Sequence, residues 1–119
     1  MSPDPNRDWR LYAEDIIEAC AKVRRYIAGM TYQAFVADER TRDAVIRNIE
    51  IIGEAAKGIP DAVAGGAPEI PWRNVRGVRD ILAHGYFNAS AEIVWATAAT
   101  LMDPLEAGVR KLLGQPSGR

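Results

Sequence analysis

Apolar residues recur at three- and four-residue steps along most of this chain, and short runs of polar residues, glycine and proline separate the periodic segments. Such spacing is typical of amphipathic helices, which turn one apolar stripe toward a core. The pattern therefore predicts an all-α fold, an up-and-down bundle of four main helices.

The first long helix is predicted to begin after Asp8, which can cap it, as can Asn6. Gly29 is a suitable stop. Its core stripe consists of apolar residues one turn apart: Tyr12, Ile16, Ala19, Val23 and Ile27.

A short segment, Tyr32 to Val36, follows Thr31, and its aromatic pair Tyr32 and Phe35 is expected to pack inward. Asp38 is placed to cap the second long helix, Glu39 to Lys57, which Gly58 and Pro60 end. The predicted core positions of this helix are Val45, Ile49, Ile52 and Ala56.

Ile46 and Gly53 lie off that stripe, seven residues apart and on one side of the helix. A stripe with a small residue can be a dimer surface, where glycine lets a partner helix come close. It can equally be a wider core face, and the sequence favours neither. Glu54 beside it is expected to be a solvated carboxylate.

Residues between Ile59 and Pro71 are not periodic and predict a surface loop, with one helical turn from Asp61. Pro71 suits the first position of a third helix that ends at Ala83 or His84, before Gly85. Its predicted buried stripe is Trp72, Val75, Val78 and Leu82.

Ser90 is a predicted cap for the fourth helix, and Trp95 a core or interface anchor. Pro104 should kink or break this helix, with Asp103 capping the continuation from Leu105 to Leu113. The inward residues are expected to be Ile93, Val94, Ala98, Leu101 and Met102.

Composition is that of one globular domain, with 119 residues, 48% apolar residues and a net charge of −1. We predict a single domain over 1–119, with 1–7 and 115–119 loose. The lone Cys20 excludes a disulfide framework within the chain and is expected in the core. Without a long apolar run or a signal-like start, we expect a cytoplasmic protein with no membrane segment and no cofactor.

Candidate chemistry is concentrated between Val75 and Phe87, where Arg79, Asp80, His84 and Tyr86 occur within eight residues. His84 is the only histidine, so one chain cannot form a metal site of several imidazoles. Imidazole exchanges a proton near neutral pH, whereas arginine stays charged and holds phosphate with forked donors. Scission of RNA needs both functions, because a proton leaves the 2′-hydroxyl while charge develops on the phosphate. A helix cap or ion-pair partner is the simpler interpretation of these residues taken alone.

Arg73 and Arg76 precede Arg79 at three-residue intervals and form the concentrated basic patch of the chain. They could guide the RNA backbone toward His84. Charged helix faces also occur for solubility alone. Asp80 could hold Arg79 or His84 in position.

The stretch from Arg79 to Tyr86 resembles the Arg-x4-His-x-Tyr signature of the HEPN superfamily, specifically of HepT-type toxins. Three other segments resemble that family in the same order: IIGEAAKGIP, PEIPWRNVRGVRD and EIVW. The resemblance implies a dimer with arginine and histidine in an interface cleft, RNA cleavage without a metal, and silencing by an MntA-type nucleotidyltransferase that attaches AMP to the motif tyrosine. By resemblance these roles fall on Arg79, His84 and Tyr86.

Two hypotheses follow. The first is a homodimeric, metal-independent endoribonuclease toxin of a type VII-like toxin–antitoxin system, since a two-fold dimer would bring two arginine and histidine pairs together. The second is a non-catalytic helical module that docks a nucleotidyltransferase. They differ in whether the purified protein cuts RNA.

Overall fold

A computed structural model describes residues 4, 6–78 and 87–116, with 87–90 described as helical backbone alone. The secondary structure of these residues is helical, which confirms the predicted all-α fold. Helix α1 lies against α3 and α7, and α3 also packs against α5 and α6, as in a helical bundle. The helices are α1 (Trp9–Ile27), α2 (Tyr32–Ala37), α3 (Glu39–Lys57), α4 (Asp61–Ala64), α5 (Trp72–Arg76), α6 (Phe87–Thr100) and α7 (Met102–Leu112).

Helix α1 begins and ends where the sequence predicts. The Asp8 carboxylate accepts a hydrogen bond from the Arg10 amide at 2.9 Å, and Gly29 follows the helix with a positive φ of 76°. Glycine adopts this left-handed conformation at little cost, because it has no Cβ. Four of the five predicted stripe residues are buried, and Ile27 is partly buried. Cys20 is also buried, as predicted, and its burial raises the pKa of the thiol to about 12.

Helix α2 carries aromatic residues that anchor α6. The Thr31 hydroxyl caps α2 by accepting from the Ala34 amide at 3.1 Å. Phe35 is fully buried, and its ring centroid lies 5.2 Å from that of Trp95. Tyr32 adds a second ring 6.3 Å from Trp95. Trp95 is therefore a core anchor within the chain.

Helix α3 is the central element, and its predicted bounds, cap and core stripe are confirmed. The Asp38 carboxylate accepts from the Thr41 amide at 3.0 Å. The Thr41 hydroxyl also donates to this carboxylate, at 2.8 Å, and the two hydrogen bonds lower the pKa of Asp38. Gly58 follows the helix against Tyr12, since a Cβ at this position would lie 2.2 Å from the tyrosine ring. The start of α1 therefore lies beside the end of α3, and the two helices are antiparallel.

Gly53 resolves the question of the second stripe on α3. A Cβ there would lie 2.9 Å from the Val78 side chain and 3.2 Å from the Val75 carbonyl. The missing side chain thus gives room to the neighbouring segment of the same chain. Gly53 belongs to a wider core face, and Ile46 is partly buried against the core.

The third helix differs from its prediction. Pro71 is the residue before α5, not its first residue, and α5 ends at Arg76 with Gly77 outside the helix. The predicted continuous helix from Pro71 to Ala83 is therefore wrong at Gly77. Glycine is a weak helix former, and the Gly77 amide closes the last turn by bonding to the Arg73 carbonyl at 3.1 Å.

The break near Pro104 falls earlier than predicted, at Leu101 between α6 and α7. Proline lacks an N–H and clashes with the carbonyl four residues before it, which is that of Thr100, the last residue of α6. Pro104 itself lies in the first turn of α7, where an amide has no helical partner to lose. Asp103 is likewise inside that turn and does not cap it.

Two other predictions for the fourth helix are wrong. Ser90 does not cap α6, because the helix already begins at Phe87. Ile93 is not a core residue, since 39% of it is exposed. It lies beside the buried Val94, on the edge of the apolar face.

Two described residues of the lead, Asp4 and Arg7, contact α1. The Asp4 amide donates to the Tyr12 hydroxyl at 2.7 Å. Arg7 pairs with Asp15 at 2.9 Å and stacks over the Tyr12 ring, 4.4 Å from its centroid. Hydrogen bonding and cation–π contact therefore fix this segment.

A buried ion cluster joins α1 to α7. Glu106 is 7% exposed, and it pairs with Arg24 and with Arg110, whose Nε lies 2.8 Å from its carboxylate. Burial alone would raise the pKa of Glu106, but the hydrogen bonds from Arg110 and Arg24 outweigh it and hold the pKa below its usual value. Arg24 also reaches the exposed Asp103 at 3.3 Å.

Among the helices described, none is long and apolar enough to cross a bilayer.

Candidate functional site

The predicted catalytic stretch lies outside the described residues. Arg79, Asp80, His84 and Tyr86 all fall between residue 78 and residue 87, where the description stops and resumes. The structure describes the two flanks of this stretch, α5 on one side and α6 on the other.

The first flank is held closely against α3. Val75 and Val78 are both buried, and they occupy the space that Gly53 leaves open on α3. Since Val78 directly precedes Arg79, the described chain enters the motif from a fixed point in the core.

Arg76 ties this flank to the end of α3 through its whole guanidinium group. Its Nε donates to the Ala56 carbonyl at 3.1 Å, its Nη2 to the Ile59 carbonyl at 2.7 Å, and its Nη1 to the Asp61 carboxylate at 2.9 Å. The group also lies 5.5 Å from the ring centroid of Trp72. Arg76 thus joins the last turn of α3, the following loop, α4 and α5.

Arg73 differs from Arg76 in its surroundings. It is exposed, and no ion pair or side-chain hydrogen bond holds it within the described part of the chain. The structure therefore does not bring the two predicted RNA-binding arginines into one environment. Nearby, Trp72 donates its indole N–H to the Ala67 carbonyl at 3.0 Å, which fixes the start of α5.

The second flank, α6, also packs on α3. Its buried face includes Ala91, Val94 and Ala98. Both ends of the motif stretch are thus connected to helices on α3, so α3 is the common support of the site.

A cleft of about 300 Å³ lies between these flanks. Its walls come from α3, α5, α6 and the start of α7, and Ile93 stands at its edge. The polar residues in its lining are Asn74, Thr97 and Thr100; no charged residue of the described chain lines it. The cleft can therefore receive apolar groups, but its described walls supply no acid or base.

Within the described ranges, no group of three or more His, Cys, Asp or Glu side chains could hold a metal ion. The buried carboxylate of Glu106, on α7, has a lowered pKa, and its ion pairs with Arg24 and Arg110 are contacts within the fold.

Sequence reasoning missed two contacts between residues that are distant in the chain, those of Arg76 and of Glu106. The anchoring role of Arg76 has no local signal, because its acceptors lie 15 to 20 residues earlier in the chain. The Arg24 contact of Glu106 spans 82 residues. Only the pairing of Glu106 with Arg110 has the one-turn spacing that a sequence can reveal.

Comparison with known proteins assigns the family. A family model described as ribonuclease HepT-like matches residues 16–112. The chain is 38% identical over 106 residues to a protein of Thermococcus cleftensis named "Probable ribonuclease HepT", covering 89% of this chain and 96% of that protein. It is 34% identical over 104 residues to a candidate RNase of Caldanaerobacter subterraneus subsp. tengcongensis, covering 87% and 93%.

A candidate RNase of Methanocaldococcus jannaschii is 37% identical over 91 residues, covering 76% of this chain and 75% of that protein. No solved structure gives a significant match. The family model covers most of α1 through α7, including the stretch from Arg79 to Tyr86. This chain belongs to the ribonuclease HepT-like family.

Proposed function

We propose that this protein is a homodimeric, metal-independent endoribonuclease that acts as the toxin of a type VII-like toxin–antitoxin system in the cytoplasm. The observation that carries the proposal is membership of the ribonuclease HepT-like family, together with the Arg79-x4-His84-x-Tyr86 motif in the sequence.

The chemistry assigned to the motif is transesterification within RNA. The 2′-oxygen loses its proton, forms a bond to the adjacent phosphorus, and the bond to the 5′-oxygen breaks, leaving a 2′,3′-cyclic phosphate and a 5′-hydroxyl. His84 exchanges the protons, and Arg79 stabilises the charge on the five-coordinate phosphorus. Asp80 orients one of these side chains.

RNA contact is assigned to Arg73, which precedes the motif. Arg73 is exposed on α5 and is suited to a phosphate contact, which fixes the position of RNA without reading its sequence. The sequence predicts Arg76 beside it as a second contact, but two nitrogens of its guanidinium donate to carbonyls at the end of α3, so only Arg73 is proposed to contact phosphate.

Regulation is assigned to Tyr86. A cognate nucleotidyltransferase of the MntA type would join the tyrosine oxygen to the α-phosphorus of ATP and release pyrophosphate. The attached AMP adds bulk and negative charge beside Arg79, so it competes with the RNA phosphate for the same guanidinium.

The test uses the purified protein with a fluorescent RNA in the presence of excess chelator. We expect cleavage to a cyclic phosphate and a 5′-hydroxyl, and a loss of about 10²- to 10⁴-fold in His84→Ala, as removal of a general acid–base group costs. Circular dichroism and gel filtration establish that the variant keeps its fold and its assembly. Equal cleavage by the folded variant would overturn the assignment of His84. A folded protein that binds the nucleotidyltransferase but cuts no RNA would instead be a docking module.

The AMP assignment has its own measurement. Intact mass after co-expression with the neighbouring nucleotidyltransferase should rise by one or more AMP units, and Tyr86→Phe should abolish the gain. An unchanged mass of the parent protein would contradict it.

A further inference from the structure

We propose that Arg76 is a positioning residue, which fixes the start of the catalytic motif on the end of α3 and does not contact RNA. This inference rests on the proposed function for its kinetic consequences, but its structural basis lies entirely in described residues.

Two acceptors of Arg76 lie at the end of α3. Ala56 is in the last turn of the helix, where its carbonyl also accepts from the Ile59 amide at 3.2 Å, and Ile59 lies just beyond the helix. A guanidinium there adds a hydrogen bond to each carbonyl and matches the negative end of the helix dipole. Arg76 reaches both, at 3.1 Å and 2.7 Å, and so acts as a side-chain cap for α3.

The planar guanidinium of Arg76 matches the positions of its acceptors. The acceptors of Arg76 come from three different segments, and each is met by a different nitrogen of one planar group. Arginine presents donors in a fixed fork, whereas lysine offers one ammonium at the end of a flexible stem. The bond to Asp61 adds little, because Asp61 is 94% exposed. The two carbonyl bonds come from separate nitrogens, Nε and Nη2, and a lysine has its donors on a single nitrogen, so it cannot place donors at both positions.

Arg76 lies close to the motif in the chain. Arg79 follows Arg76 by three residues, so at most about 11 Å of chain separates them. With Val78 packed against Gly53, the Arg76 contacts and the valine together fix the path along which the chain enters the motif. Loss of the fork would let α5 rotate on α3 and displace Arg79 and His84 from their shared target.

Arg76 and Arg73 differ in how far they are exposed. The side chain of Arg76 is 25% exposed and turned to the end of α3, whereas Arg73, one turn earlier, is exposed. Two of the three guanidinium nitrogens of Arg76 already donate to carbonyls and the third donates to Asp61, so this group offers fewer donors to a phosphate than Arg73 does. The sequence pattern treats Arg73 and Arg76 alike, as two arginines at three-residue intervals before Arg79. In the structure, one is exposed and the other is held against α3.

The experiment compares three variants in steady-state RNA cleavage. Arg76→Lys keeps the charge and removes the fork. Arg73→Gln removes an exposed charge from α5. Arg25→Gln is the control, because it removes an exposed charge far from the motif. Arg25 lies about 20 Å along α1 from Tyr12, and Tyr12 is the α1 residue that contacts Gly58 at the end of α3.

We expect Arg76→Lys to lower kcat by about ten- to a hundredfold with KM unchanged within about twofold, since small displacements of a catalytic group have this effect. Arg73→Gln should raise KM and should reduce the slope of log Kd for RNA against log salt concentration by about one. Arg25→Gln should leave both constants within about twofold of the parent. Unchanged kcat in Arg76→Lys, or a rise in KM like that of Arg73→Gln, would overturn the proposal.

A second readout is independent of RNA cleavage. Because the chain has one histidine, its imidazole gives a single set of NMR signals whose pH titration can be followed in each variant. Arg76→Lys should change this titration, while Arg73→Gln and Arg25→Gln should not. If the parent protein cuts no RNA, the proposed function fails while this arm still tests Arg76. An unchanged titration in folded Arg76→Lys would reject the positioning role.

Discussion

The buried carboxylate of Glu106 provides the sharpest test of how the helices are joined. It accepts hydrogen bonds from Arg24 and from Arg110. A hydrogen bond to a charged group contributes about 1.5–3 kcal/mol. Glu106→Gln keeps one carbonyl acceptor but places an N–H₂ group opposite an arginine, so one charged bond is lost. Arg24 and Arg110 are 36% and 28% exposed, so water and Asp103 compensate in part. We expect a loss of about 2 kcal/mol at pH 7.

The matched control is Asp103→Asn. Asp103 pairs with the same arginine but its side chain is 83% exposed, and its distance is 3.3 Å. Exposed ion pairs contribute about 0–1 kcal/mol. Both free energies are measured by urea unfolding at one fixed protein concentration, because any dimer would link stability to concentration. Equal losses for the two variants would refute the argument that burial makes the Glu106 pairs strong.

The pH dependence supplies a second check of the same prediction. The pKa of Glu106 in the folded protein lies below the ordinary value of 4.5. Its contribution is therefore complete above about pH 4.5 and is lost as the pH falls through the lower, folded-state pKa. The difference in unfolding free energy between the parent and Glu106→Gln should be constant from pH 7 to pH 5 and shrink below pH 4. A difference that persists unchanged at pH 3 would contradict this sign.

Three further predictions concern packing. Gly58→Ala should lower the free energy of unfolding in urea by about 3 kcal/mol, because the added Cβ would overlap the Tyr12 ring. The control Gly65→Ala, whose Cβ would lie 3.5 Å from the nearest atom, should change it by less than about 0.5 kcal/mol. Similar losses for the two variants would refute the contact with Tyr12. Gly53→Ala should reduce RNA cleavage about tenfold, because the added Cβ would displace α5. Its unfolding free energy should stay nearly unchanged, because the higher helix propensity of alanine offsets about 1 kcal/mol of steric cost against Val78. Full activity would contradict this prediction. The Cys20 thiol should resist a thiol-specific reagent at pH 8 until urea unfolds the chain, since it is buried with a raised pKa; fast labelling of folded protein would contradict its burial.

The sequence by itself determined the elements that depend on neighbouring residues. Helix α3 begins and ends at its predicted residues, because Asp38 caps it and Gly58 follows it. The core stripes of α1 and α3 were readable for the same reason, since a helix repeats its faces every three to four residues. The motif that marks the family is also a local pattern, and it could be read without any contact between distant residues.

Only the tertiary structure decided which of several local possibilities each residue fulfils. Gly53 could have served a partner helix and instead admits α5 of its own chain. Arg76 was predicted as a phosphate ligand, and its described contacts are at the end of α3. These outcomes depend on which side chains meet across 15 or more residues, and helical periodicity carries no information about such pairs, because it fixes a face of one helix but not its neighbour.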